Sequence, residues 1–219
     1  MTADAIALAD AWPLFGLRIC SQRLVMRLPS ESDLLKLIAV ARDGIHPEGE
    51  MPFAVAWSTT PSPEFERGFL RHHWSMWAHW TPDAWGLNLL VELNGAPIGS
   101  QSVHAQDFSI LRTVDTGSWL GRDFQGRGLG TEMRSAVLAF AFDGLGAEAA
   151  ESSAFLDNAA SNRVSRKLGY EENGRGRLAP EGIARETRLF RMTVEGWRSR
   201  PRPPVTIEGL DACRELFGA

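Results

Sequence analysis

The sequence has few of the residues that mark metal, nucleic-acid or membrane proteins. Its 219 residues include two cysteines and five histidines, with a net charge of −4. No Cys/His spacing suggests a metal site, and the charge argues against a nucleic-acid partner. No apolar run approaches the roughly 20 residues that cross a membrane. Cys20 and Cys213 lie far apart in the sequence, which favours free thiols in a reducing cytoplasm over a disulfide.

Tyrosine is nearly absent, whereas tryptophan is abundant. The chain has one tyrosine and eight tryptophans, and several tryptophans cluster in and after the proline-rich loop at 45–63. Tryptophan offers a large apolar surface with one donor, which suits a pocket wall or an interface. Long loops in compact domains are often binding loops. The alternative is a surface loop whose Phe53 and Trp57 cover the core.

The stretch 118–131 joins a strand, a turn, three glycines and an apolar helix. Glycine allows backbone to approach a ligand closely. A helix N-terminus offers unpaired N–H groups and the positive end of a dipole. The stretch therefore predicts a pyrophosphate site, although the glycines alone fit a strand-to-helix turn without a ligand equally well.

Apolar periodicity and turn residues predict alternating strands and helices in one domain. The domain is expected at 16–197, after an N-terminal lead-in at 1–15 and before a Pro/Arg linker and short C-terminal extension at 198–219. The predicted strands are 17–28, 85–92, 97–104, 114–120 and 147–156. A closing pair of strands is predicted at Tyr170 and at 184–194, and the charged span 171–186 between them is predicted to form a hairpin. The predicted helices begin after the cap Ser30, at Glu64, near Gly128 and after the cap Asn158, with a short strand and a terminal helix in the extension.

Two motifs in order resemble the GNAT superfamily of acyl-CoA-dependent N-acyltransferases. The run 125–130 matches the Gln/Arg-x-x-Gly-x-Gly/Ala signature. Asn158-x-x-Ser161 followed by 167–170 is similar to the next helix of the RimJ/RimL-like branch, which acylates protein N-termini. The resemblance covers about residues 16–195. It implies an α/β (α+β) fold whose central sheet is mixed, mostly antiparallel and twisted. We expect about six to seven strands, flanking helices and a V-shaped splay at the CoA site.

The resemblance also implies how an acyl-CoA is bound. The strand before the glycine turn would pair its backbone with pantetheine, the turn would hold the pyrophosphate, and Asn158 would contact the pantetheine arm or an ordered water. The residues implied for acyl-CoA binding are Trp119, Leu120, Gly121, Gln125, Gly126, Arg127, Gly128, Leu129, Gly130, Thr131, Asn158 and Ser161.

Catalytic residues are harder to assign from the sequence. Many family members carry a tyrosine in the helix after Asn158 as general acid toward the CoA thiolate. This sequence has Ser165 at the corresponding step, so Ser165 or Ser161 is the expected replacement. No base is conspicuous. His104, at the end of a hairpin strand, is the candidate that would face the acceptor, and a surface or core-edge histidine is the alternative.

The acyl donor is a finer question. The 45–57 loop and 116–121 are similar to an actinobacterial group associated with succinyl-CoA rather than acetyl-CoA. A succinyl carboxylate needs a cation or several donors, and the candidates are His46, His72, His73, His104, Gln101, Ser102 and Arg71. The expected substrate pocket comprises His46, Phe53, Trp57, His72, His73, Trp77 and Gln101.

These observations predict an N-acyltransferase that moves an acyl group, succinyl by first expectation, from acyl-CoA to a primary amine by direct attack in a ternary complex. The alternatives are an acetyl-CoA-dependent N-acetyltransferase of a protein N-terminus or small amine, and a non-catalytic acyl-CoA-binding sensor. The expected partners are the CoA ester and the amine, without metal, nucleic acid or membrane, and homo-oligomer formation stays open.

Overall fold

One mixed sheet organises the chain, in the order β7-β8-β6-β5-β4-β3-β2-β1-β9. The computed structural model describes residues 6–219, so residues 1–5 of the expected lead-in lie outside the described residues. The strands are β1 (Arg18–Cys20), β2 (Leu24–Arg27), β3 (Ala84–Leu93), β4 (Ala96–Gln106), β5 (Thr113–Leu120), β6 (Ala149–Phe155), β7 (Glu171–Leu178), β8 (Arg185–Thr193) and β9 (Thr206–Glu208). The α-helices are α1 (Leu8–Ala11), α2 (Glu31–Arg42), α3 (Glu64–Ala78), α4 (Phe108–Leu111), α5 (Leu129–Ala139), α6 (Ala159–Leu168), α7 (Val194–Arg198) and α8 (Leu210–Cys213).

The predicted fold class is confirmed, and the sheet has more strands than expected. Among the strands of residues 6–219, only β5 and β6 run parallel, and the other neighbours are antiparallel. The single strand expected at 17–28 is two strands, because residues 21–23 form a turn. Glu132 of α5 holds this turn by accepting hydrogen bonds from the Ser21 hydroxyl and the Arg23 backbone N–H, both at 2.8 Å. The extension adds β9 beside β1. In the expected hairpin at 171–186, the first half is β7 (Glu171–Leu178), which pairs antiparallel with β8.

Local capping signals set several helix ends as expected. Ser30 caps α2 in a reciprocal box with Asp33, an arrangement typically worth about 1 kcal/mol. The Asn158 side chain accepts a hydrogen bond from the Ser161 N–H at 3.0 Å and so caps α6. Gly169 ends α6 at a φ of 94°, a conformation that side chains with a Cβ rarely adopt.

Two apolar clusters cover the two faces of the sheet. The larger one lies on the α5 side and includes Phe140, Trp85 and the extension's Phe217, which is fully buried. The smaller one lies under α2 and α3 and includes Leu90 of β3. The extension at 198–219 therefore packs into the same core as the sheet. Among residues 6–219, no helix has both the length and the apolar character required to cross a membrane.

The strands β5 and β6 separate after a short parallel pairing. Their register covers only Thr113–Asp115 against Ala149–Glu151, and the two strands then lead into α5 and α6, respectively. Asn162 of α6 donates hydrogen bonds to the carbonyls of Phe155 at 2.8 Å and Asn158 at 2.7 Å. The divergence opens a wedge in the middle of the sheet, and the site is built in this wedge.

Candidate active site

A cavity of about 640 Å³ opens where β5 and β6 diverge. Six consecutive β5 residues, 115–120, line it, together with the start of α5, the first turns of α6 and the loop after α2. Consecutive residues of a strand point to opposite faces of the sheet. All six residues of this segment can therefore line one cavity only where no neighbouring strand pairs with the β6 side of β5. The wedge therefore gives access to β5 from both faces of the sheet.

The glycine turn forms a cradle at one end of this cavity. Gly126 and Gly128 have φ values of 71° and 80°, and a Cβ on Gly126 would project into open space. The first bond of α5 runs from the Glu132 N–H to the Gly128 carbonyl at 3.1 Å. The N–H groups of 129–131 therefore have no acceptor within the helix. Together with the helix dipole they fit a pyrophosphate.

Three cations that the sequence analysis did not single out stand near the cradle. Arg23 Nη2 lies 3.7 Å from the position that a Cβ on Gly128 would take, and it pairs with Glu132 at 2.6 Å. Arg163 and Lys167 of α6 line the cavity. The i, i+4 spacing of Arg163 and Lys167 places both side chains on one face of α6, and this sequence pattern could have predicted that they lie together. Arg127 leans over the Phe124 ring, with 6.0 Å between its guanidinium carbon and the ring centroid.

The backbone of β5 is exposed to the wedge at alternate residues. Gly121 donates its N–H to the Ile98 carbonyl beside β4, whereas the Thr116 carbonyl accepts from the Ser152 hydroxyl of β6 at 3.3 Å. Even-numbered residues therefore turn their backbone groups toward β6. Of the segment expected to pair with pantetheine, Leu120 directs its backbone to the wedge, and Trp119 and Gly121 direct theirs to β4. Ser118 joins Leu120 as an available donor.

The side chain of Gln125 fixes the loop after α2 rather than entering the cradle. Its amide donates to the Ile45 carbonyl at 2.6 Å and to the Leu120 carbonyl at 2.8 Å. In this loop, His46 and Phe53 line the cavity. His46 Nδ1 lies 3.0 Å from the Pro47 carbonyl oxygen, and Nε2 lies 2.8 Å from the Ser58 hydroxyl oxygen. Both ring nitrogens are thus engaged.

The other end of this loop is held at the cavity mouth by Arg185 of β8. Its guanidinium donates to the Met51 carbonyl and to both carboxylate oxygens of Asp157 at 2.8 Å. It also stacks over the Phe155 ring, 4.1 Å from the centroid. One side chain therefore joins the loop, the β6–α6 turn and β8.

The expected tryptophans support the cavity from behind. Trp57 packs against Phe65, Phe69 and Trp119, with centroid distances of 5.8–6.0 Å, and Trp119 itself lines the cavity. Trp77 packs on Phe15 at 5.7 Å. Neither Trp57 nor Trp77 borders the cavity, so they buttress α3 and the loop.

His104, expected to face the acceptor, and His72 and His73, expected in the substrate pocket, do not line the cavity, and burial lowers the pKa of each. His73 is buried against Phe69, and burial, with His72 beside it, lowers its pKa to about 3. His72 Nε2 is 3.0 Å from the Asn88 amide nitrogen. His104 packs over Gly86, and burial, with His72 nearby, lowers its pKa to about 4. Such a base is poorly matched to proton removal near neutral pH.

Asp115 is the titratable residue that the sequence analysis missed. It pairs in register with His104 of β4 and Glu151 of β6, and it lines the cavity. Its side chain is exposed to solvent in the open cavity, and protein atoms packed around it partly desolvate the carboxyl group. This desolvation raises the pKa of Asp115 to about 6; Arg134 opposes the rise and Glu151 adds to it. In the sequence, Asp115 follows the apolar Val114 within a predicted strand, and this alternation was the pattern that could have predicted a polar face on β5.

The two serines proposed as acids lie in different places. Ser161, in the first turn of α6, borders the cavity beside Asn158. Ser165 lies one turn further along α6, is buried, and does not reach the cavity. Tyr170 is buried with its hydroxyl 3.2 Å from the Thr116 hydroxyl, and burial raises its pKa. Of these three hydroxyls, only that of Ser161 belongs to a cavity-lining residue.

The seven residues considered as partners for a succinyl carboxylate also lie in different places. Gln101 is fully buried, with its amide donating to the Gly117 carbonyl at 2.7 Å, and Arg71 is exposed and lies 3.6 Å from Glu64. Of the seven candidates, only His46 lines the cavity. Within the described part of the chain, no cluster of three or more metal-ligating side chains occurs.

The comparisons agree with this architecture. A family model described as "Acetyltransferase (GNAT) domain" matches residues 23–171. The RimJ structure of Mycobacterium smegmatis, in complex with a CoA disulfide, superposes with a TM-score of 0.65 at 18% identity and covers 90% of this chain and 91% of that one. RimL, a ribosomal alpha-N-protein acetyltransferase in complex with coenzyme A, gives 0.64 at 18% over 80% and 97%. The microcin self-immunity acetyltransferase MccE, with acetyl-CoA and AMP, gives 0.60 at 14% over 78% and 93%.

Sequence identities this low establish a shared fold and no more. The family model, however, spans more than half of the chain, and the residues it matches include the strands, the glycine turn and the α6 helix that build the cavity. The chain therefore belongs to the GNAT acetyltransferase domain family.

Proposed function

We propose that this protein transfers an acyl group from a CoA thioester to a primary amine by direct attack in a ternary complex. The observation that carries the proposal is the open wedge between β5 and β6, which joins a phosphate cradle to a strand edge accessible from both faces. A cradle alone suits any nucleotide, but the exposed β5 backbone suits an extended amide-bearing arm such as pantetheine. The two unpaired cysteines fit a reducing compartment, so we place the reaction in the cytoplasm.

The proposed chemistry uses three groups of the wedge. The Asp115 carboxylate accepts the proton that the amine loses as its nitrogen attacks the thioester carbon. The N–H groups of Ser118 or Leu120 stabilise the negative charge that develops on the carbonyl oxygen. A C–N bond forms and the C–S bond breaks. The Ser161 hydroxyl gives its proton to the departing sulfur and is reprotonated from solvent. Positioning two substrates in one wedge lowers the barrier by up to roughly 7–11 kcal/mol.

The acceptor approaches from the α2/α3 face, where Asp115 and Glu151 lie side by side. Glu151 is paired with Arg191, so the Asp115 carboxylate is the group that favours an ammonium at the entrance. The ammonium releases its first proton to solvent, and Asp115 accepts the second as the neutral amine attacks. A protein N-terminus, the acceptor class named for RimL, and a small amine both meet this requirement.

We propose succinyl as the acyl group, with acetyl as the second candidate. Acetyl is favoured by MccE, whose structure contains acetyl-CoA. Succinyl is favoured by the polar character of the inner wedge, where Ser118, Ser152 and Arg134 meet.

Thermal unfolding with CoA, acetyl-CoA and succinyl-CoA tests the binding half of the proposal. A ligand at one hundred times its Kd raises the free energy of unfolding by about 2.7 kcal/mol, so a clear rise in Tm is expected with each. Absence of any shift would refute the proposal. Release of CoA thiol in the presence of a panel of amines tests catalysis, and binding without release under any amine would identify a sensor.

A further inference from the structure

Arg134 is a buried cation without a carboxylate beside it. It projects from α5 into the wedge and is 3% exposed. One terminal nitrogen donates to the Ser152 hydroxyl at 3.0 Å and the other to the Ser118 hydroxyl at 3.1 Å. Its Nε has no partner. Among residues 6–219, no acid lies within 4 Å of its guanidinium.

Within the described residues, this arrangement gives acceptors to the two terminal nitrogens but leaves the Nε and the positive charge without a partner. Serine hydroxyls are neutral, and buried charges in proteins are as a rule paired. The nearest β5 acid, Asp115, lies on the other face of the strand, because it is an odd number of residues from Ser118. A guanidinium with a free N–H and a planar fork of donors is suited to a carboxylate.

The position of Arg134 indicates which carboxylate it would meet. Its two serine partners lie three and one residues past the last paired positions, Asp115 and Glu151. The guanidinium therefore stands just beyond the closed end of the wedge. The cavity extends to Arg134 from the cradle at the start of α5. A group that enters beside the cradle and follows β5 inward ends at this guanidinium.

We propose that Arg134 binds a carboxylate at the far end of the transferred acyl group, so that the donor is the CoA thioester of a dicarboxylic acid of about succinyl length. This inference rests on the proposed function and names the donor class of the same site. The competing explanation is structural: Arg134 only pins β5 to β6 through Ser118 and Ser152.

Calorimetric Kd values for succinyl-CoA and butyryl-CoA separate the two explanations. Both acyl groups have four carbons, and butyryl has a methyl group where succinyl has a carboxylate. We expect the wild-type protein to bind succinyl-CoA at least tenfold more tightly, a difference of about 1.4 kcal/mol. A purely structural Arg134 predicts equal affinities or a preference for butyryl-CoA, because a carboxylate then loses its hydration without a partner.

Arg134→Gln removes the charge and retains an amide donor for the serines. We expect the succinyl-to-butyryl ratio to fall to about one, with the affinity for butyryl-CoA within threefold of wild type. Arg188→Gln is the matched control, because Arg188 is a half-buried arginine that pairs with Glu172 outside this cavity. It should keep the wild-type ratio.

Two results would overturn the inference: a wild-type ratio of one or less, or an unchanged ratio in Arg134→Gln. If that variant does not fold, the wild-type comparison decides alone. Failure of the proposed function has a different signature, since a protein that binds neither CoA nor butyryl-CoA lacks the donor site altogether.

Discussion

Replacing Asp115 with asparagine tests the proposed base with little change in shape. The side chain keeps its size and its place opposite His104, but it no longer accepts a proton. General-base catalysis by a positioned side chain typically contributes about 10²–10⁴ in rate, so we expect kcat/KM to fall by that factor. The affinity for CoA should stay within twofold, because Asp115 lies outside the glycine cradle.

The pH profile gives a second, more specific signature. With its pKa raised to about 6 by desolvation, Asp115 is mostly ionised at pH 7, and roughly a tenth of the molecules retain the carboxylate at pH 5. We therefore expect kcat/KM of the wild type to fall about tenfold per unit below pH 6. This fall below pH 6 is the acidic limb of the pH profile, and the residual kcat/KM of Asp115→Asn should not show it.

Stability should move in the opposite direction from activity. Because the native pKa exceeds the ordinary value of 3.8, the unfolded chain loses this proton first as the pH rises. The stability contributed by this group therefore falls between about pH 4 and pH 6 and stays low above that window. Asparagine avoids this cost, so the Tm at pH 7 should be unchanged or higher, whereas loss of a structural residue would lower it.

CoA thiol release, measured from pH 5 to 8, checks both kinetic signatures. The matched control is Glu151→Gln, since Glu151 neighbours Asp115 in register but is already paired with Arg191. It should retain the limb below pH 6. Activity within threefold of wild type in Asp115→Asn, or loss of the limb in Glu151→Gln instead, would contradict the assignment.

Three further substitutions test the rest of the cavity. Gly128→Val should weaken CoA binding at least tenfold by isothermal titration, whereas Gly146→Val, at a similar left-handed φ of 72° outside the cavity, should share the strain and keep the affinity. Ser161→Ala should lower kcat several-fold more than Ser165→Ala, and the reverse order in steady-state kinetics would place the acid on Ser165. Arg185→Ala should raise the KM of the acceptor several-fold by freeing the loop after α2, and an unchanged KM would separate that loop from acceptor binding.

The elements that sequence predicts well depend on neighbours in the chain. The capping box between Ser30 and Asp33 and the left-handed end at Gly169 each arise within a few residues. The Asn94-Gly95 turn between β3 and β4 does too. Backbone geometry and short-range hydrogen bonds decide such features, so they are readable without knowledge of the rest of the fold.

The elements that sequence mispredicts depend on distant partners. The break between β1 and β2 is stabilised by Glu132, more than 100 residues further along the chain. The extension packs into the core because Phe217 fits against Trp80, Trp85 and Phe140, with centroids 4.9–5.5 Å away. Neither contact leaves a local periodic signal, so a single strand and a peripheral tail were the natural expectations.

The same distinction applies to the site. The cradle glycines and the Asn158 cap are encoded locally, and the resemblance to a known family found them. The roles proposed for Asp115 and Arg134 depend on the early end of pairing between β5 and β6, after three residues each. A strand acid and a helix arginine are ordinary in composition, and the wedge between the strands brings both to the lining of one cavity.

Alternation along β5 explains how one strand serves two substrates. Asp115, Gly117 and Trp119 face α2 and α3, whereas Thr116, Ser118 and Leu120 face α5. The proposed base is thus on the acceptor side, and the serine that holds Arg134 is on the donor side. A shift of one residue in the register between β4 and β5 would exchange the two faces, placing the carboxylate against Arg134 and the base out of reach of the amine. The Gln101 and Gln125 side-chain amides donate hydrogen bonds to the Gly117 and Leu120 carbonyls, respectively. These hydrogen bonds oppose such a shift, so the two glutamines have a structural role beside the site and no catalytic one.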